Sequence, residues 1–229
     1  MGILVATALT LGLVHTVIGP DHYVPFVALG RAGRWTLRRT LVVAGLCGLG
    51  HVISSVAIGL IGVAAGLALP SVTGVEEARG PIATWALIGF GLAYGAWGLW
   101  SALRGRRHSH VHIHEDGSAH VHEHGHEVAH AHPHGSGKAV WVLFTVFVLG
   151  PCEPLIPLLM YPAAGHDWIA LAIVTGAFGV ATIGTMMAMT AIGWAGFRVL
   201  RLGLLERYVH ALAGGVLALS GVFVMVVDV

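Results

Sequence analysis

Charged residues are scarce in this sequence. Asp, Glu, Lys and Arg make up 10% of the 229 residues and hydrophobic residues 56%, whereas an ordinary soluble domain carries about 25% charge. This composition excludes a soluble globular domain. An excess of positive charge is also missing, because the formal net charge is +1. We therefore expect no nucleic-acid partner, since binding a phosphate backbone needs a basic surface.

Cysteine is equally scarce. Cys47 and Cys152 are the two in the chain, and both lie in apolar stretches, which excludes a disulfide framework. The phosphate-binding pattern G-x-x-x-x-G-K-[ST] is absent, which argues against ATP hydrolysis by this chain. We expect neither an enzyme nor a resident cofactor.

Long apolar runs are what the sequence has in abundance. A transmembrane helix needs roughly 20 mostly apolar residues, and six such runs predict an all-α membrane protein with six transmembrane helices. The first run lacks a basic start and a small-residue cleavage site, so we expect a mature helix and not a signal peptide. The predicted spans are Ile3–Leu29, Thr40–Leu69, Ile82–Leu103, Ala139–Tyr161, Trp168–Phe197 and Leu205–Val227.

The basic residues predict an orientation, because Lys and Arg concentrate in cytoplasmic loops. Eleven of the twelve fall in connections on one side of the predicted spans. Only Arg79, beside Glu76 and Glu77 in the predicted connection between spans two and three, falls on the other side. We therefore expect a multi-pass protein of the cytoplasmic (inner) membrane with both termini outside the cytoplasm.

Histidine is present in excess, and most of it is local. Eleven of the 16 histidines lie between His108 and His134, largely in H-x-H alternation. Such a tract cannot bury a core, so we expect a disordered cytoplasmic loop over residues 104–138 that binds divalent metal. This loop would separate a first three-helix unit, residues 1–103, from a second, residues 139–229.

The two halves of the chain resemble each other. GPDHYVPF at 19–26 aligns with GPCEPLIP at 150–157, and residues 49–62 align with 183–196 without a gap, ending in a shared AIGxxG. Because each half has three spans, the repeat predicts inverted topology. Helices one and four should be broken at Gly-Pro, and secondary transporters place substrate sites at such breaks.

The few ionisable residues within the predicted spans gather at these breaks or in the adjacent helix. Imidazole and carboxylate together favour Ni, Co, Zn, Fe or Mn over an alkali ion. His51 could instead make a purely structural hydrogen bond, and Cys152 could be a small buried apolar residue. The candidate metal ligands are His15, Asp21, His22, His51, Cys152 and Glu153.

Two motifs carry a resemblance to a known family. HTVIGPDH at 15–22 resembles the His-Asp-His signature of nickel/cobalt transporters, although five residues stand between His15 and Asp21 where the nickel permease signature has four. LGHVISSV at 49–56 is similar to the Leu-Gly-His motif of their next helix. With the histidine-rich loop, the layout resembles the NicO branch, whose broader group includes urease-accessory membrane proteins and TauE/SafE-type sulfite exporters. The resemblance implies Ni²⁺ or Co²⁺ as the transported ion, with Zn²⁺ or Cu as further candidates, and His15, Asp21, His22 and His51 on its path.

The function that we predict is secondary transport of this ion across the bilayer, coupled to protons and with a slight preference for efflux. A thiol-disulfide electron carrier is one alternative, but the repeat partner of Cys152 is Asp21 and not a second cysteine. A sulfite or oxyanion exporter is another, but it would need basic residues at membrane depth, and all twelve are expected in loops or at helix ends. Besides the ion and the lipid bilayer, a homo-oligomer or a metallochaperone remains open as a partner.

Overall fold

The computed structural model describes residues 1–66, 68–104, 108–113, 119–124, 136–199 and 203–227. The fold is helical apart from two short strands. The elements in chain order are α1 (Gly2–Ile18), a 3-10 turn (Pro20–His22), α2 (Val24–Ala32), α3 (Leu37–Ala64), α4 (Leu69–Arg104), β1 (His108–Ile113), β2 (Ala119–His124), α5 (Ser136–Leu149), α6 (Leu155–Ala164), α7 (Trp168–Val199), a second 3-10 turn (Gly203–Tyr208) and α8 (Val209–Val227).

Four of the described helices are long and apolar enough to cross a membrane. They are α3, α4, α7 and α8, the last together with the end of the 3-10 turn before it. Large apolar side chains on their outer faces are exposed, among them Ile53, Trp85 and Val180. Apolar surface on this scale marks contact with lipid, not water. The chain is therefore a membrane protein, as the composition predicts.

The remaining two predicted spans are each built from two short helices. The first is interrupted between α1 and α2 at Gly19-Pro20, and the fourth between α5 and α6 at Gly150-Pro151. The predicted helix breaks are confirmed at both Gly-Pro pairs. Proline has no N–H to give and clashes with the preceding turn, so a helix ends readily at these positions.

Helix α4 corrects two of the predictions. It begins at Leu69, thirteen residues before the predicted start at Ile82, and runs without interruption through Arg79 and Pro81. The expectation that every basic residue lies in a loop or at a helix end is therefore wrong for Arg79. The physical reason is that Glu76, one turn earlier on the same helix, forms an ion pair with Arg79, so the two charges offset each other within an apolar helix.

Small residues allow the long helices to approach closely. Helices α4 and α8 cross at Gly95 and Gly214, where a Cβ on Gly214 would collide with the Gly95 backbone. Helices α1 and α7 meet at Gly12, whose Cβ would lie 3.0 Å from the Phe178 carbonyl oxygen. Close approach through small residues is the usual way in which membrane helices pack.

Three apolar clusters form the interior of the described residues, and two of them flank His51. The first cluster contains Cys47 and Phe147, and the second contains Val52 and Cys152. His51 stands between Cys47 and Val52 in the sequence of α3, and it is 3% exposed. The His51 imidazole is thus enclosed by protein.

The histidine-rich tract differs in part from the prediction of a loop without regular structure. Strands β1 and β2 pair antiparallel, with Val111 opposite Val121 and His110 opposite His122. The two-residue alternation of histidine with valine or isoleucine matches the period of a strand, which accounts for the pairing. The side chains of the eleven histidines lie outside the described part of the structure. The prediction that they bind metal therefore concerns groups that the structure does not describe.

Candidate metal centre

The break between α1 and α2 folds two polar side chains back over a glycine. Gly19 closes α1 with an N–H bond to the His15 carbonyl oxygen, 3.1 Å away, and the chain then enters the 3-10 turn. A Cβ on Gly19 would lie 2.7 Å from His22 Nδ1 and 2.8 Å from Asp21 Oδ1. Only glycine leaves room for this turn, which brings Asp21 and His22 back toward His15.

Three histidines from two separate segments gather beside this break. The ring centroid of His22 lies 4.7 Å from that of His15 and 5.3 Å from that of His51. The rings of His15 and His51 are 6.3 Å apart and nearly parallel, at 8°. His22 therefore stands edge-on to both of the other imidazoles, and the three form one cluster.

The hydrogen bonds of His22 determine which nitrogen carries its proton. Its Nδ1 lies 3.1 Å from Asp21 Oδ1 and 3.3 Å from the Gly19 carbonyl oxygen. A carboxylate and a carbonyl oxygen only accept hydrogen bonds, so Nδ1 must be the donor. In the neutral ring the lone pair then belongs to Nε2, and Asp21 acts on the cluster by orienting His22.

His51 is oriented in the same way by a different partner. Its Nδ1 donates to the Phe147 carbonyl oxygen at 3.2 Å, across from α3 to the last turn of α5. Its Nε2 and the Nε2 of His15 are both buried, and neither has a hydrogen-bond partner among the described residues. The structural hydrogen bond considered for His51 is present, and it leaves the other nitrogen free to bind a ligand.

The second break supplies a thiol to the same place. Cys152 lies between α5 and α6 and is fully buried. Ligand atoms of His15, His51 and Cys152 all lie within 4.8 Å of one another. The three residues come from α1, α3 and the α5–α6 break, so the tertiary fold and not a local motif assembles the group.

These three ligand atoms can hold a metal ion. Zinc bonds imidazole nitrogen at about 2.0–2.1 Å and thiolate sulfur at about 2.3 Å, so two ligand atoms at tetrahedral positions lie roughly 3.5 Å apart. From the observed spread within 4.8 Å, side-chain movements of about 1 Å would close the group on an ion. Imidazole with thiolate suits the later first-row metals. The hard ions Mg²⁺ and Ca²⁺ prefer oxygen ligands and are not the ions expected here.

The six predicted ligands are thus placed unequally. The structure groups the side chains of His15, His22, His51 and Cys152, and it joins Asp21 to them through His22. Glu153 is exposed and lies outside the group of ligand atoms, although it follows Cys152 directly. His210, near the start of the predicted sixth span, shares a 2.8 Å hydrogen bond with the Tyr94 hydroxyl.

Sequence reasoning missed Glu76 and Arg79. The Glu76 side chain is fully buried, and Arg79 Nη1 donates to its Oε1 at 2.5 Å. Arg79 Nη2 donates to the carbonyl oxygens of Val148, at 2.6 Å, and Gly150, at 3.3 Å. Glu76 Oε2 accepts the Cys152 backbone N–H at 3.0 Å. The pair therefore bonds backbone groups on both sides of the α5–α6 break.

A signal for this pair was present in the sequence. Opposite charges three residues apart face each other on a helix and not in an irregular loop. The three charges of Glu76, Glu77 and Arg79 favoured a loop because charge within a membrane span is expensive. The structure resolves the conflict by placing Glu76 and Arg79 inward and Glu77 outward.

Comparisons with known proteins place the chain in no family: no protein-family model, no curated protein and no solved structure matches it.

Proposed function

We propose that this protein is a secondary transporter that moves divalent transition-metal ions, Ni²⁺ or Co²⁺ first, across the cytoplasmic membrane. The observation that carries the proposal is the convergence of His15, His51 and Cys152 on one enclosed point, with two buried imidazole nitrogens lacking a partner. Unpaired buried nitrogens are costly in an apolar interior. A metal ion is the ligand that satisfies two such nitrogens and a thiolate together.

The arrangement within the membrane follows from the two broken segments. We propose six spans, in which α1 with α2 and α5 with α6 each form one, and α3, α4, α7 and α8 form the other four. Helix α3 packs against α5 and α6, while α7 packs against α1 and α2. Such an exchange of partners is what two inverted three-span repeats produce around an axis in the membrane plane, with the site near the midplane.

Proton exchange is a chemically natural form of coupling at this site. Histidine must be neutral and cysteine deprotonated to bind a metal, so binding the ion releases protons and protonation of the same ligands releases the ion. Alternating access would expose the ligands first on one side of the membrane and then on the other. In this scheme the chain needs no nucleotide, in keeping with the absent phosphate-binding motif.

The proposed metal follows from the ligand set and a sequence resemblance, and the proposed direction from the histidine-rich tract. Two imidazoles and one thiolate are borderline ligands that also accept Zn²⁺ and Cu, and the nickel/cobalt preference comes from the resemblance of residues 15–22 and 49–56 to that family. From the distribution of basic residues, we propose that the histidine-rich tract lies on the side of the cell interior. A metal-collecting tract there favours efflux.

The two alternative functions fit the site less well. Cys47 and Cys152 are both free thiols and belong to different apolar clusters, which does not favour a relay of electrons between them. An oxyanion would need a free cationic side chain at membrane depth. Among the described residues, Arg79 within α4 is the candidate for this cation. Its guanidinium is already paired with Glu76 and bonded to backbone carbonyls, so it offers no free positive charge.

Metal accumulation in cells tests the proposal. Cells that produce the wild-type chain or the His51→Ala variant are exposed in turn to Ni, Co, Zn, Cu and Mn, and the retained metal is measured. We expect a changed content of at least one metal with the wild type and none with the variant. His166→Asn is the matched control, because His166 is exposed and has φ of 55°, which asparagine tolerates. An unchanged content of all five metals with the wild type overturns the proposal.

A further inference from the structure

We propose that Glu76 and Arg79 are positioning residues for the metal centre: their ion pair holds the α5–α6 break in the form that presents Cys152 to His51. This inference rests on the proposed function, because it concerns the same site. It adds two residues from a fourth element, α4, that act through backbone groups and not as ligands.

Arg79 takes over hydrogen bonds that the break removes from the end of α5. The last carbonyls of a helix have no intrahelical partner, and Pro151 and Pro154 have no N–H to offer them. The Arg79 guanidinium bonds the carbonyl oxygens of Val148 and Gly150 with one nitrogen, Nη2. A planar guanidinium can reach several acceptors at once, which an ammonium group does less well.

Glu76 acts on the other side of the break. Its Oε2 accepts the Cys152 N–H at 3.0 Å and the Ser55 hydroxyl at 3.1 Å, while Oε1 accepts from Arg79. The carboxylate thus fixes the backbone of the cysteine whose sulfur belongs to the ligand group. Rotation of the break about Cys152 would break a charge-assisted bond in a buried place.

The same pair is linked to His51 through α3. Arg79 Nη2 lies 3.0 Å from Ser54 Oγ, and Ser54 Oγ donates to the His51 carbonyl oxygen at 2.8 Å. The His51 side chain in turn bonds Phe147, one residue before Val148. One continuous set of hydrogen bonds therefore connects the backbones of His51 and Cys152, and Glu76 and Arg79 stand at its centre.

A purely structural role and a positioning role predict different measurements. If the pair only stabilised the helices, its loss would lower the thermal stability and leave the affinity of the folded protein for metal unchanged. If it positions Cys152, its loss also weakens binding and removes sulfur from the coordination sphere. Changes to groups that orient metal ligands typically weaken metal binding by about 10- to 100-fold.

Cobalt binding to the purified full chain separates these roles. The protein carries Cys47→Ser so that Cys152 is its one thiol, and Co²⁺ titration is followed by the thiolate-to-cobalt charge-transfer absorption. We expect Glu76→Gln and Arg79→Lys to bind Co²⁺ about 10- to 100-fold more weakly and to lose most of this absorption. Glu77→Gln and Arg38→Lys are the matched controls, because both residues are exposed, and they should behave as the parent.

Glu76→Asp keeps the charge on a side chain shorter by one methylene, and we expect an intermediate loss of affinity. It carries the same test if Glu76→Gln proves too unstable to purify. Parental affinity and absorption in Glu76→Asp and Arg79→Lys would overturn the positioning role while leaving the metal centre in place. Absence of any Cys152-dependent absorption in the parent protein would instead overturn the metal centre, and the positioning role with it.

Discussion

The Nδ1 atom of His51 donates a hydrogen bond to the carbonyl oxygen of Phe147 at 3.2 Å. This bond joins the middle of α3 to the point where α5 ends, and it occupies one imidazole nitrogen while the other stays buried and unpaired. The Phe147 carbonyl oxygen, which also accepts the Gly150 N–H at 3.1 Å, thus fixes the tautomer of a candidate metal ligand. The helix break and the metal centre are parts of one arrangement.

A substitution should separate the roles of the two His51 nitrogens, the hydrogen bond made by Nδ1 and the metal binding by Nε2. An asparagine amide can occupy the position of Nδ1 and still donate to the Phe147 carbonyl, but it has nothing at the position of Nε2. We expect His51→Asn to abolish Co²⁺ binding at Cys152 with little loss of thermal stability. The thiolate-to-cobalt absorption in the Cys47→Ser background measures this binding, because the histidine-rich tract is itself expected to bind metal.

His51→Ala should lose metal binding and some stability together, because it removes a hydrogen bond worth about 0.5–1.5 kcal/mol, although the Phe147 carbonyl keeps its bond from the Gly150 N–H. The contrast between the two variants is the test. Metal binding retained by His51→Asn would show that Nε2 of this residue is not a ligand.

The two cysteines should differ sharply in their effect on transport. Cys152 contributes to the group of ligand atoms, whereas Cys47 packs in an apolar cluster on α3. We expect Cys152→Ser to return the metal content of the cells to that of cells without the protein, and Cys47→Ser to leave it close to wild type. Loss of a disulfide-reducing activity in both variants, with unchanged metal content, would support the electron carrier and not the transporter.

The two carboxylates predicted as ligands should also differ. Asp21 holds Nδ1 of His22 at 3.1 Å, whereas Glu153 is exposed outside the ligand group. Because partners of this kind orient imidazoles, we expect Asp21→Asn to weaken metal binding by about 10-fold or more and Glu153→Gln to change it little. Equal losses in the two variants would restore Glu153 as a ligand.

Much of this arrangement was readable from the sequence, and the reasons for the rest are physical. The breaks at Gly19-Pro20 and Gly150-Pro151 follow from proline chemistry, which acts locally. The meeting of His15 with Cys152 depends on how distant helices pack, which neither residue's neighbours encode. The sequence comparison of the halves brought the two breaks into correspondence, but it could not say that their side chains meet.

Glu76 and Arg79 show where the local argument misleads. Judged separately, each charge argues against a membrane helix, and together they argued for a loop. Their partners are backbone groups some 70 residues away, at 76 and 69 positions of separation for Cys152 and Val148, and no local pattern announces them. The charge spacing indicates the pair itself, but only the fold shows which buried backbone groups the pair bonds.

The contact between α4 and α8 offers a test of the helix packing that is independent of metal. A Cβ on Gly214 would strike the Gly95 backbone, whereas a Cβ on Gly215 would meet nothing within 4 Å. We expect Gly214→Ala to lower the free energy of unfolding by about 1–3 kcal/mol through overpacking, and Gly215→Ala to leave it nearly unchanged. Thermal unfolding in detergent compares the two, and equal stability of the variants would contradict the packing described for these helices.

Metal flux into proteoliposomes tests the central claim most directly. The purified chain is reconstituted with a metal-sensitive dye inside the vesicles, and Ni²⁺ or Co²⁺ is added outside with and without a pH gradient. If the protein transports metal in exchange for protons, the dye will respond faster than in protein-free vesicles. The pH gradient will accelerate this response, and His51→Asn will abolish it. Flux equal to that of protein-free vesicles for Ni, Co, Zn, Cu and Mn alike, under either gradient, would contradict it.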